Sequence, residues 1–119
     1  MKTELKMPLL TNKYTKVYHE SEADMHYGAP HHFSVTDLQG ELLSQIHFQE
    51  GPIKEQGVNG CCNEDLINMV IKRLECFQKT EFSCRENALA ITKLEEALMW
   101  LRMRTQKREQ RGVEGTHNV

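Results

Sequence analysis

The sequence lacks any long apolar run. Hydrophobic residues fill 39% of its 119 positions, and no stretch approaches the roughly 18 residues that cross a bilayer. A membrane-spanning helix is excluded, and the Lys, Thr, Glu and Asn residues among the first hydrophobes predict no signal peptide. Neither charge dominates: 15 Lys plus Arg face 17 Asp plus Glu, a net of −2. That excludes a uniformly basic nucleic-acid coat and an acidic disordered tail. With only 3 Pro and 7 Gly, collagen-like and low-complexity designs are excluded too. The four cysteines, Cys61, Cys62, Cys76 and Cys84, form neither a CxxC pair nor a secreted disulfide framework, so a reduced cytoplasmic protein is expected. There is no P-loop, GxGxxG or GxSxG motif, and no nucleophile and base at a recognisable spacing. Among six histidines no HxxxH or HExxH occurs, and adjacent His31 and His32 on a strand would face opposite ways. No catalytic residue, metal or cofactor is therefore expected.

What is present reads as one α+β domain behind a polar arm. Residues 1–30 show no helical or strand period and end in Gly28-Ala29-Pro30, so they are expected to form a mobile arm before a single domain at 31–119. Phe33 and Val35 alternate with Ser34 and Thr36, Asp37-Leu38-Gln39-Gly40 supplies a turn, and Leu42, Ile46 and Phe48 continue the alternation. A β-hairpin is predicted, extended by a strand-like piece at Ile53–Gln56 and a tight Gly57–Gly60 loop, giving a small antiparallel sheet over 32–60. Asn63 caps a first helix over 64–79, with Leu66, Val70, Leu74 and Phe77 at helical spacing. Ser83 and Glu86 form a capping box for a second helix over 84–111, which Gly112 stops, and a tail follows at 112–119. The two helices fold back as an antiparallel hairpin.

The second helix is much the longer, so its last three turns are expected to overhang the first without cover from the same chain. Between Arg102 and Arg111 five cationic side chains face one acid, a net of +4 that leaves −6 for the rest. Arg104, Arg108 and Arg111 share one face, a geometry that suits bidentate capture of phosphate, or a solvated basic helix end. Asn87 interrupts the apolar row of Ile91, Leu94 and Leu98. It reads either as a structural hydrogen-bonding residue or as a contact to a base or ribose. Phe77 lies near Asn87 across the turn, as core packing or as a stacking face. Asn87 and Arg108 are 21 residues apart, roughly 31 Å on one helix, too far to hold one small ligand. Two chains packed antiparallel bring Phe77 and Asn87 of one subunit to Arg104 and Arg108 of the other.

The segments Phe77-Gln78, Phe82-Ser83-Cys84-Arg85-Glu86-Asn87, Leu94 to Leu101, Arg104-Thr105 and Arg111-Gly112-Val113-Glu114-Gly115-Thr116-His117 resemble the phage Thoeris anti-defence sponges of the first type. The hairpin is also similar to that of the phage anti-CBASS nucleotide sponges. The resemblance covers about residues 32–117. It implies a non-enzymatic protein of the infected bacterial cytoplasm that sequesters cyclic ADP-ribose isomers made by TIR-domain enzymes, and CBASS cyclic di- and trinucleotides. It implies that Phe77 stacks on adenine, Asn87 bonds the base or ribose, and the other subunit's Arg104 and Arg108 hold the diphosphate, supported by Arg85, Arg111 and the tail. A second nucleotide site at Gly57, Asn59 and Gly60, and assembly from dimer to hexamer, are further implications. Against this stands a structural or regulatory hairpin oligomer that binds protein or nucleic acid through its basic end. A steep salt dependence and a preference for long polymer would mark that alternative.

Overall fold

The computed structural model describes residues 2–119, which form two compact units, one ending at Cys61 and the other spanning Cys62–Val119. The architecture is α+β, as expected.

The first unit is a four-stranded antiparallel sheet in the order β1 (Lys2–Glu4), β2 (Thr15–Glu20), β3 (His32–Asp37), β4 (Leu42–His47). The hairpin of β3 and β4 is the predicted one. The Asp37 carboxylate accepts from the N–H groups of Gln39 and Glu41, both at 2.9 Å, and Gly40 takes a φ of 90° that favours glycine. A register shift between Val35 and Thr36 bends the pair.

The expectation of an arm without regular structure over 1–30 is corrected by β1 and β2, which extend the sheet by pairing Lys2 with Glu20 and Val17 with Val35. The Thr15–Glu20 segment is half-buried throughout, without the in–out contrast that marks a strand in sequence. Its partners across the sheet hold it instead. The piece at 53–56 is likewise not extended. It forms a single helical turn, α1 (Ile53–Gln56), closed by Gln56 N–H to Pro52 O at 2.7 Å and Gly57 N–H to Ile53 O at 2.9 Å. Pro52 pre-sets the entry, while Gly51 and Gly57, with φ of 84° and 76°, turn the chain in and out.

Glu20 ties the start of β3 to the end of β2. Its carboxylate accepts from the His31 N–H at 3.1 Å and the His32 N–H at 3.2 Å. Burial opposes its ionisation, but these donors, its own N–H and the nearby His32 ring outweigh that, and its pKa lies below the ordinary 4.5. A carboxyl whose folded pKa is lowered stabilises the fold fully above its unfolded pKa and loses that effect as pH falls through the folded one. The melting temperature of the full chain is therefore expected to drop on acidification below pH 4.5, and E20Q to flatten part of that drop. Circular dichroism melts of both proteins across the acid range check this; identical acid slopes would remove Glu20 from the account.

The second unit is a helical hairpin of α2 (Asn63–Phe77) and α3 (Arg85–Gln110). Both helices start one residue away from where the sequence places them. Cys62, not Asn63, occupies the cap of α2, and the Asp65 carboxylate accepts its N–H at 2.8 Å. Cys84, not Ser83, caps α3, its Sγ accepting the Asn87 N–H at 3.4 Å. The side chain of Gln78 decides the second case, because it clamps the Cys84 main chain on both sides, accepting its N–H at 3.0 Å and donating to its carbonyl at 2.9 Å. The helices run antiparallel. Glu64 and Asn68 from the start of α2 share a cleft of about 360 Å³ with Leu98, Arg102, Thr105, Gln106 and Glu109 of α3.

Ile71 alone is a buried hydrophobic residue among those described, whereas Met99, Trp100 and Met69 are 70%, 63% and 62% exposed.

Candidate functional site

The candidate residues fall into two groups at opposite ends of the hairpin. At the turn end, Phe77 closes α2 and Asn87 stands in the first turn of α3. Thr80 fixes the intervening chain, donating its hydroxyl to Phe77 O at 2.6 Å and accepting the Phe82 N–H at 3.1 Å. This places the rings of Phe77 and Phe82 edge to face, with centroids 6.5 Å apart. The Arg73 guanidinium lies over the Phe77 ring at 5.4 Å, a cation–π contact that sequence reasoning missed. The i, i+4 spacing of Arg73 and Phe77 on α2 was the available signal. Asn87 is half-buried and Arg85 exposed.

At the far end, Arg104 is exposed and Arg108 half-buried. The predicted bare overhang is corrected here, because the chain after α3 turns back and covers the helix end. Val113 N–H reaches Arg108 O and Gly112 N–H reaches Glu109 O, both at 3.0 Å, with Gly112 at a φ of 73°. This double bond pattern around a left-handed glycine is a Schellman stop. Arg108 then gathers the tail, its Nη2 donating to the carbonyls of Val113, Thr116 and Asn118 at 3.1, 3.0 and 2.8 Å. Arg111 donates to the main-chain oxygen of Val119. Arg108 and Arg111 are thus held in place by the tail, and the basic end is not a row of loose cations.

Asn87 and Arg108 lie on the same unbroken 26-residue helix, so their separation is roughly 31 Å along its axis. One chain does not bring them together. The residues of the expected second site have local work to do. Asn59 accepts the Glu50 N–H and donates to the Glu50 carbonyl, both at 2.8 Å. The carbonyl of Gly57 accepts from Gln49 at 2.7 Å. A Cβ on Gly60 would stand 2.4 Å from the Phe48 carbonyl oxygen, so that position admits only glycine.

The profile described as "Acb2/Tad1, hairpin domain" matches residues 43–106. A protein of Bacillus phage SBSphiJ7 named Thoeris anti-defense 1 is 50% identical, over 96% of this chain and 97% of the relative. The chain belongs to the Acb2/Tad1 hairpin family. The matched Acb2/Tad1 hairpin region contains Phe77, Asn87 and Arg104, together with Gly57, Asn59 and Gly60, while Arg108 and Arg111 lie beyond its end and within the longer similarity. Among the described residues, no helix is long and apolar enough to cross a membrane.

Proposed function

We propose that this Acb2/Tad1 hairpin protein is a phage anti-defence protein that binds and sequesters a cyclic nucleotide immune signal in the host cytoplasm without cleaving it. The observation that carries the reading is the 50% identity, over nearly the whole of both chains, to the relative named Thoeris anti-defense 1. Cyclic ADP-ribose isomers are the first ligand class, and CBASS cyclic di- and trinucleotides the second. Phe77 stacks on the adenine, Asn87 bonds the base or ribose, Arg104 and Arg108 from a second copy hold the diphosphate, and Arg85 and Arg111 flank them. The length of α3 supports a two-chain pocket, because residues roughly 31 Å apart on one helix meet only when a second helix runs antiparallel to it. The exposed Met99 and Trp100 of α3 support such a pairing. Arg108 uses its Nη2 on the tail, which leaves the Nε and Nη1 donors of a five-donor guanidinium for phosphate.

Calorimetric titration with cyclic ADP-ribose isomers and cyclic di- and trinucleotides tests this, with the ligand recovered from the heated complex. Saturable binding and intact released ligand are expected, at one ligand per chain, since a two-fold dimer carries the shared pocket twice. Heat from none of them, or a cleaved product, would overturn the reading. The rival, a structural or regulatory hairpin oligomer that binds protein or nucleic acid through its basic end, is disfavoured by Arg102 sharing its cleft with Glu64 and Glu109.

A further inference from the structure

The sheet unit carries a cluster that the nucleotide pocket does not use. His32 and His47 are direct cross-strand partners on β3 and β4, so the pleat turns both imidazoles to one face of the sheet. Their centroids are 4.1 Å apart. Both Nε2 atoms approach the same atom, Oε2 of Glu50, at 3.3 Å from His32 and 3.6 Å from His47. The other carboxylate oxygen meets His26 Nδ1 at 2.9 Å. The Glu50 backbone is itself pinned by the Asn59 side chain on both its N–H and its carbonyl.

Two imidazoles and one carboxylate form a His₂Glu donor set, and their three ligand atoms all lie within 4.8 Å of one another. Zinc–nitrogen and zinc–oxygen bonds of about 2.0–2.2 Å in a tetrahedron put neighbouring ligand atoms roughly 3.3 Å apart. The two nitrogen-to-oxygen distances already fall close to that value. The cluster is reachable, with the His32 and His47 side chains 54% and 45% exposed. A mixed imidazole and carboxylate set suits a borderline divalent transition ion better than calcium or magnesium, which prefer all-oxygen shells.

We propose that His32, His47 and Glu50 bind one divalent transition-metal ion of the zinc class. The ion takes a lone pair from each Nε2 and from one oxygen of Glu50, so each ring carries its proton on Nδ1 when the ion is bound. His26, donating Nδ1–H to the far oxygen of Glu50, is the orienting partner of the carboxylate ligand. Three protein ligands leave the fourth position for water or another small donor. The site lies wholly in the sheet unit and stands or falls independently of the nucleotide pocket in the hairpin.

The test is titration of the full chain with Co²⁺ followed by optical absorption, and with Zn²⁺ by calorimetry. One ion per chain is expected, with the visible bands of tetrahedral Co²⁺ and no near-ultraviolet thiolate band. H47A and E50Q should each weaken binding by about tenfold or more with unchanged circular dichroism, and H26A by less. On the unsubstituted chain, Zn²⁺ should shift the imidazole nitrogen resonances of His32 and His47, a readout that holds even if a variant folds poorly. Absence of saturable binding, a thiolate band assigning the ion to cysteine, or unmoved His32 and His47 resonances would overturn the proposal.

Discussion

Replacing Arg108 by Ala is expected to weaken binding of a cyclic ADP-ribose isomer by about thirtyfold, roughly 2 kcal/mol, through loss of a charge-assisted phosphate contact. It is also expected to release the tail. Nη2 of Arg108 holds the carbonyls of Val113, Thr116 and Asn118. Removing it takes away three of the tail's bonds to the helix, with the Schellman stop at Gly112 and the Arg111 contact to Val119 still in place. Calorimetry reads the first effect, and hydrogen exchange over residues 113–119 reads the second. R108K separates them further, since a lysine keeps the charge but lacks the planar fork that serves tail and phosphate together. Full affinity in a variant whose tail exchanges freely would take Arg108 out of the pocket and leave it a structural clasp.

Replacing Phe77 by Ala is expected to cost about 1–3 kcal/mol of ligand binding, the usual range for a base stacked on an aromatic ring. The ring is held for that task from two directions, edge to face by Phe82 and by the Arg73 guanidinium at 5.4 Å. A ligand base would compete with Arg73 for one face or stack opposite it, so R73A is a natural companion. F77L distinguishes stacking from packing, because leucine restores apolar volume at the half-buried position without a π face. Equal loss of affinity in F77A and F77L, with a wild-type melting temperature in F77L, supports the stack. If F77L binds like the wild type, Phe77 is core and the base sits elsewhere.

Much of the hairpin was legible in one dimension. The helical recurrence of Leu66, Val70, Leu74 and Phe77, and the alternation around Phe33 and Val35, are local signals that act over a few residues. The Asp37 turn and the Gly112 stop are local in the same way, and both are found where the sequence puts them. The strands at Lys2–Glu4 and Thr15–Glu20 were not legible. Their stabilising partners lie up to 22 residues away, as in Thr15 with Asp37, and their own residues are too polar to show a buried face. The shifted caps at Cys62 and Cys84 were hidden for a related reason, since Gln78 chooses the latter through a loop contact that no capping rule contains.

Fold class, the positions of the two long helices and the concentration of arginine at one helix end follow from the sequence, because propensity, period and charge are properties of neighbouring residues. What those residues face is set by strand pairing and chain reversal in three dimensions. The tertiary structure tied Arg108 to the tail, laid Arg73 on Phe77, and brought His32, His47 and Glu50 onto shared atoms. Such meetings depend on strand register and chain reversal. One residue of slip between β3 and β4 would turn His32 and His47 to opposite faces, and nothing in their sequence spacing records which register the sheet adopts.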